Sequence, residues 1–143
     1  MQVDFSTVQD VESFVSIPEG TYLCRIAEVR TGLTREGSPR WGMRLEVAEG
    51  DFAGRTAAWD GLVWSERGLP RVKTVLGLLG YDVSGTLEID AEDLVGRRIV
   101  AEFTTEERED PATGRRVVRL RVPYMGYRAA EDAEASESED MPF

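Results

Sequence analysis

The 143-residue chain holds 41% hydrophobic and 31% charged residues, the balance of one globular domain, and no apolar run approaches the roughly 18 residues of a membrane helix. Histidine is absent and Cys24 is the single cysteine, which excludes histidine-dependent triads, disulfides and the usual zinc ligand sets. The formal charge of -10 is carried by the two ends: residues 1–19 and 129–143 hold ten acids and no base, leaving 17 acids against 17 bases, all but Lys73 arginine, in residues 20–128.

Residues 1–19 carry a loose apolar spacing (Phe5, Val8, Val11, Phe14, Val15) that predicts a short amphipathic helix ending before Pro18. From Gly20 the pattern turns to alternation, with Tyr22, Cys24 and Ile26 on one face of a first strand and Leu23, Arg25, Ala27 and Val29 on the other. A turn at 35–39 leads into a second strand. There Trp41, Met43, Leu45 and Val47 alternate with Arg40, Gly42, Arg44 and Glu46. A third strand runs from Arg55 to Trp64, with Trp59 and Trp64 on opposite faces by parity. Pro70 opens a helix whose stripe is Val72, Val75, Leu76 and Leu79, with Gly80 as its cap. One helical turn is expected around Ala91 to Leu94. Strand four covers Arg97 to Glu106, Asp110 to Gly114 form a hairpin loop, and strand five covers residues 115–124. Beyond Ala129 the chain is small and acidic, which predicts disorder.

Three strands, a helix and two more strands predict a mainly β protein: a five-stranded Greek-key barrel of the OB type, with its helix between strands three and four. The division expected is an N-terminal extension (1–19), the barrel (20–128) and a disordered acidic tail (129–143). A lone cysteine, with no charged leader ahead of an apolar stretch, points to the cytoplasm.

Enzymatic signals are poor. No phosphate-loop spacing occurs, Cys24 has no histidine partner and alternates with core residues, and Asp90, Glu92 and Asp93 are better placed as helix caps than as a nuclease metal site. Neither catalysis nor a cofactor is expected. Single-strand binding, by contrast, needs cations along a groove and aromatic faces for bases. Arg25, Arg40, Arg44, Arg55, Arg119 and Arg121 on strand faces supply the first, and Trp59, sharing a face with Arg55, supplies the second.

The chain ends Ser138-Glu139-Asp140-Met141-Pro142-Phe143. This resembles the C-terminal tip of bacterial single-stranded DNA-binding proteins, an acidic run before isoleucine, proline and phenylalanine that recruits replication, recombination and repair enzymes; Met141 stands where that family has isoleucine. The body is similar to OB-fold single-strand-binding proteins of phages and prophages over residues 18–80. The likeness is carried by Pro18 to Tyr22, Trp41 to Val47, Gly50 to Arg55 and Leu76 to Gly80. Together the two resemblances imply a protein that coats exposed single-stranded DNA and presents Asp140, Met141, Pro142 and Phe143 to partner enzymes. They leave open whether it forms a homo-oligomer and imply no membrane partner. The alternative is a protein-interaction adaptor, a small barrel with no nucleic-acid affinity of its own. Acids interspersed among the arginines of the binding face would favour it.

Overall fold

The computed structural model describes residues 1–2, the backbone of 11–13, and residues 15–131. The elements are β1 (Val11–Ser13), β2 (Gly20–Leu33), β3 (Pro39–Val47), β4 (Thr56–Val63), α1 (Leu69–Leu78), a 3-10 turn (Ala91–Leu94), β5 (Arg98–Glu109), β6 (Arg116–Arg121) and β7 (Tyr127–Ala129). They form one sheet in the order β1-β6-β5-β2-β3-β4, with β7 also paired to β5. All ladders are antiparallel except β1 with β6. No helix among the described residues is long and apolar enough to cross a membrane.

β2 is long enough to serve two neighbours. Its first residues, Gly20 to Arg25, pair with β5, and Cys24 to Leu33 pair with β3. Between Ile26 and Glu28 the register shifts by one residue. Such a bulge bends the strand and reverses the sense of its side chains. Val29 therefore packs against the core, while Glu28 and Arg30 lie on the outer face, the reverse of the regular alternation. Curling on β2, the sheet encloses Ile26, Met43, Leu45, Leu62, Ile99 and Phe103, each 1% exposed or less. The helix adds Val72, Val75 and Leu76 from the stripe its sequence predicts. Gly68 precedes that helix where a Cβ would strike the carbonyl oxygen of Val63, so α1 can leave β4 this closely only from a glycine. Asp90 and Asp93 form the two halves of a capping box on the 3-10 turn, the capping role expected of them.

The ends of the sheet depart from expectation in three places. Val11–Ser13 form a strand, not part of a helix, and pair in parallel with Arg116, Val117 and Val118; residues 3–10 and 14 lie outside the described residues. Strand five is split: Pro123 has no N–H to donate, the chain turns through Tyr124 and Met125, and it rejoins the same edge of β5 as β7, bringing Ala129 into the sheet. The sheet is open: no ladder joins β4 to β6 among the described residues. The edge of β6 that would close it is taken at Arg116 to Val118 by β1, and the following residues reach across to β4 through Ser16 Oγ, which donates to the Thr56 carbonyl at 2.8 Å. Beyond that bridge a seam remains. The expected disordered tail, from residue 132 on, lies outside the described residues.

Cys24 sits wholly inside this core, and burial pushes its thiol up to about 12 from 9.0. As pH rises the unfolded chain gives up this proton first, so the contribution is complete below pH 9 and is lost towards pH 12. Tyr127, also raised by burial, acts in the same sense at higher pH. Urea denaturation should show about 1 kcal/mol lost between pH 9 and pH 10 on account of Cys24. Cys24→Ala, whatever its own stability, should flatten that interval; an unaltered slope would show that the thiol is not buried as described.

Candidate nucleic-acid interface

The outer face of β2, β3 and β4 is set by register. Arg25 stands opposite Glu46, Glu28 opposite Arg44, Arg30 opposite Gly42 and Gly32 opposite Arg40. Across the next ladder Arg44 faces Trp59 and Gly42 faces Gly61. Two glycines side by side leave a floor without side chains, and the Arg40 guanidinium lies on it: a Cβ on Gly61 would come within 2.5–2.7 Å of its Nη2, Cζ and Nε, and one on Gly42 within 3.3 Å of its Nη1. Trp59 borders the same floor and is 42% exposed. The Arg30 Cζ sits 4.6 Å from the centre of the Trp59 ring, a cation–π stack that holds the indole. Arg30, Trp59 and Arg40 thus meet at one platform on this glycine floor, contributed by three strands.

Arginines elsewhere on the face are engaged by acids. Arg44 approaches Glu28 at 3.4 Å and Glu46 at 3.7 Å and donates to Thr56 Oγ1 at 3.0 Å. Arg25 pairs with Glu46 at 3.0 Å and Arg30 with Glu28 at 2.6 Å. The hydrogen bond from Arg30, aided by the Arg44 charge, holds the Glu28 carboxyl below its ordinary range, so it stays ionised. Arg40 has no ion-pair partner among the described residues and is the base on this face most open to an incoming phosphate.

Arg55 is elsewhere. A second bulge, between Leu45 and Glu46 on one side and Ala58 and Thr56 on the other, breaks the parity that would have put it beside Trp59. Its Nη1 donates to the Ser16 carbonyl at 2.8 Å and its guanidinium lies over Phe52. Arg119 does approach Trp59, from across the seam: both line a cleft of about 290 Å³ with Thr56, Ala57, Ala58 and Leu120. The Arg119 Nε is buried there with no hydrogen-bond partner. Arg121, exposed, lies opposite Thr104 on β5. Trp41 and Trp64 are half-buried against the core with ring centres 4.7 Å apart, leaving Trp59 as the exposed indole. Asp140, Met141, Pro142 and Phe143 lie outside the described residues.

Arg30 was not among the arginines picked from sequence, because regular alternation turns it inward; the signal was the run Ala27-Glu28-Val29-Arg30, where polar residues change parity. A cavity of about 540 Å³ between α1 and residues 83–89 is apolar apart from Glu66 and Lys73 and shares no lining residue with the platform.

No protein-family model matches the chain, and no curated protein matches it in sequence.

The platform's glycines make a mechanical prediction. Gly61→Ala meets only the movable end of Arg40 and should change stability by less than about 1 kcal/mol, while Gly68→Ala meets backbone and should cost about 1–3 kcal/mol, the range for overpacking. Urea titration of both variants decides it, and a larger loss at Gly61 would mean that Arg40 is fixed in place.

Proposed function

We propose that the chain is a single-stranded DNA-binding protein built as an OB-type barrel whose closing seam is left open, and that it coats exposed strands without strong sequence preference. One observation carries this reading: an exposed tryptophan stacked by Arg30 beside the glycine floor that carries Arg40, on the outer face of β2, β3 and β4 in a curled antiparallel sheet. Every base has a face that can stack on an indole, whereas a phosphate can meet a guanidinium through two parallel hydrogen bonds. Arginine beside an exposed tryptophan therefore offers a strand one contact for a phosphate and one for a base. The strand order is also that of the proposed barrel: its first strand, β2, pairs with both the second and the fourth, and its third and fifth, β4 and β6, run side by side along the seam. On this reading the protein is not an enzyme. The acidic tip, Asp140 to Phe143, recruits replication, recombination or repair proteins: the Phe143 ring is the buried anchor and the acids ahead of it supply attraction.

The adaptor reading has one observation on its side, the acids Glu28 and Glu46 among the arginines. Binding measurements separate the two. Trp59→Ala should weaken binding of an oligothymidylate by about 5- to 150-fold, the value of one stacked base. Arg40→Ala should lower the slope of log affinity against log salt by about 0.7, one phosphate's worth, and Arg25→Ala, whose side chain is already paired, by less. No affinity of the intact protein for single strands would sink the proposal in favour of the adaptor.

The tip is tested separately by pull-down from a bacterial lysate. Deleting Phe143, or adding one alanine after it, should abolish recovery of genome-maintenance proteins while leaving oligonucleotide binding intact. Equal recovery by all three forms would reduce the tip to a solubilising tail.

A further inference from the structure

The seam between β4 and β6 has an aromatic side chain at each end. At Thr56 to Trp59 its far wall is Arg119 and Leu120; at Gly61 to Val63 its far wall is Tyr124, with Arg71 beneath, around a smaller recess of about 120 Å³. Tyr124 is 59% exposed, high for a ring of its size. It does not belong to the core cluster. Its backbone is nevertheless fixed. Arg71 donates from Nε to the Tyr124 carbonyl at 3.3 Å and from Nη1 to the Gly61 carbonyl at 2.9 Å, so one guanidinium holds the two walls together. Arg71 is in turn locked to Asp60 at 2.6 Å. The turn that carries Tyr124 is closed by the Gly126 N–H on the Pro123 carbonyl at 2.9 Å.

We propose that the seam is the track of the bound strand and that Tyr124 is its second base-stacking face, after Trp59. This rests on the single-strand-binding reading and adds to it a direction and a residue. Trp59 lines one recess, and Gly61, two residues further along β4 and about 7 Å away, lines the recess beside Tyr124, so the two rings stand at successive places along one strand edge. Arg119 adds a cation at the Trp59 end, on the far wall of the cleft, where its guanidinium can meet a phosphate of a strand in the seam. A rigidly held turn presenting an exposed ring loses little entropy when a base stacks on it. The rest of the seam cannot serve, because the Ser16 hydroxyl already bridges to Thr56.

The experiment follows binding of a twelve-residue oligothymidylate by anisotropy, together with the quenching of tryptophan emission. A second oligomer of the same length carries abasic sites in place of every base. Tyr124→Ala should weaken the thymidylate by about 5-fold or more, leave the abasic oligomer bound as by the unaltered protein, and retain tryptophan quenching at saturation. Tyr124→Trp should restore affinity. Because Tyr124 is exposed, the urea midpoint should not move. Thymidylate affinity within twofold of the unaltered protein, or an equal loss on the abasic oligomer, overturns the proposal while the single-strand reading stands. Absence of binding and quenching in the unaltered protein overturns both.

Discussion

One strand must satisfy two neighbours, and most of the architecture follows from that. β2 pairs with β5 at its start and with β3 along its remainder, so the sheet can neither lie flat nor let β2 run straight. The register shift between Ile26 and Glu28 is where the bend is accommodated. The same extra residue that curls the sheet around its core also exchanges the faces of Val29 and Arg30. Closing the core and placing Arg30 over Trp59 are thus two results of a single insertion. The shift at Ala58/Thr56 works likewise on β4: it keeps Ala57 and Ala58 both buried and separates Arg55 from the platform.

A second constraint holds the seam. Asp60 stands opposite buried Met43, on the core side of β4, where an unpaired carboxylate would be costly. Arg71 from α1 meets it at 2.6 Å, and the Tyr127 hydroxyl of β7 donates to the same oxygen. Burial opposes the Arg71 charge, but the Asp60 carboxylate outweighs it and the guanidinium is held more firmly protonated than usual. Burial, then the Asp60 charge, keep the Tyr127 phenol neutral well above its ordinary range. Two elements distant in sequence, α1 and β7, thus converge on one carboxylate of β4, which neutralises the Arg71 charge and accepts from both. The cluster lies directly below the seam, so the spacing of β4 and Tyr124 is set by a charged contact and not by a backbone ladder.

Elements governed by local pattern were legible in the sequence: the strands through Met43 and Phe103, the helix stripe of Val72, Val75 and Leu76, the capping role of Asp90. Those governed by contacts between distant segments were not. β1 is three residues long and exists because β6 offers it an edge; its own sequence is as compatible with a helix. Tyr124 shares the parity of Leu120 and Val122, and only Pro123 hinted that the alternation would stop. On the outer face of β3 and β4 Arg40, Arg44 and Trp59 were brought together as alternation implied. A bulge has no fixed sequence signature, so Arg30 was missed and Arg55 misplaced, and the pairing of Arg25 and Arg44 with Glu46 and Glu28 became visible only through cross-strand register.

That pairing decides what kind of affinity the proposed interface can have. A protein with a formal charge of -10 gains nothing at long range from a polyanion. On the outer face Arg25, Arg30 and Arg44 all have carboxylates within reach. Exposed pairs of this kind contribute little stability, but they fix the guanidinium planes at the surface while leaving some of each fork's N–H donors free for a second acceptor. Attraction therefore begins only when a strand is already close, inside the roughly 10 Å over which exposed charges act at 0.1 M salt. At that range a duplex and a single strand offer the same phosphates, and only the single strand offers an unstacked base to Trp59. A face largely neutralised by its own acids thus favours single strands by removing the electrostatic contribution that both forms would share.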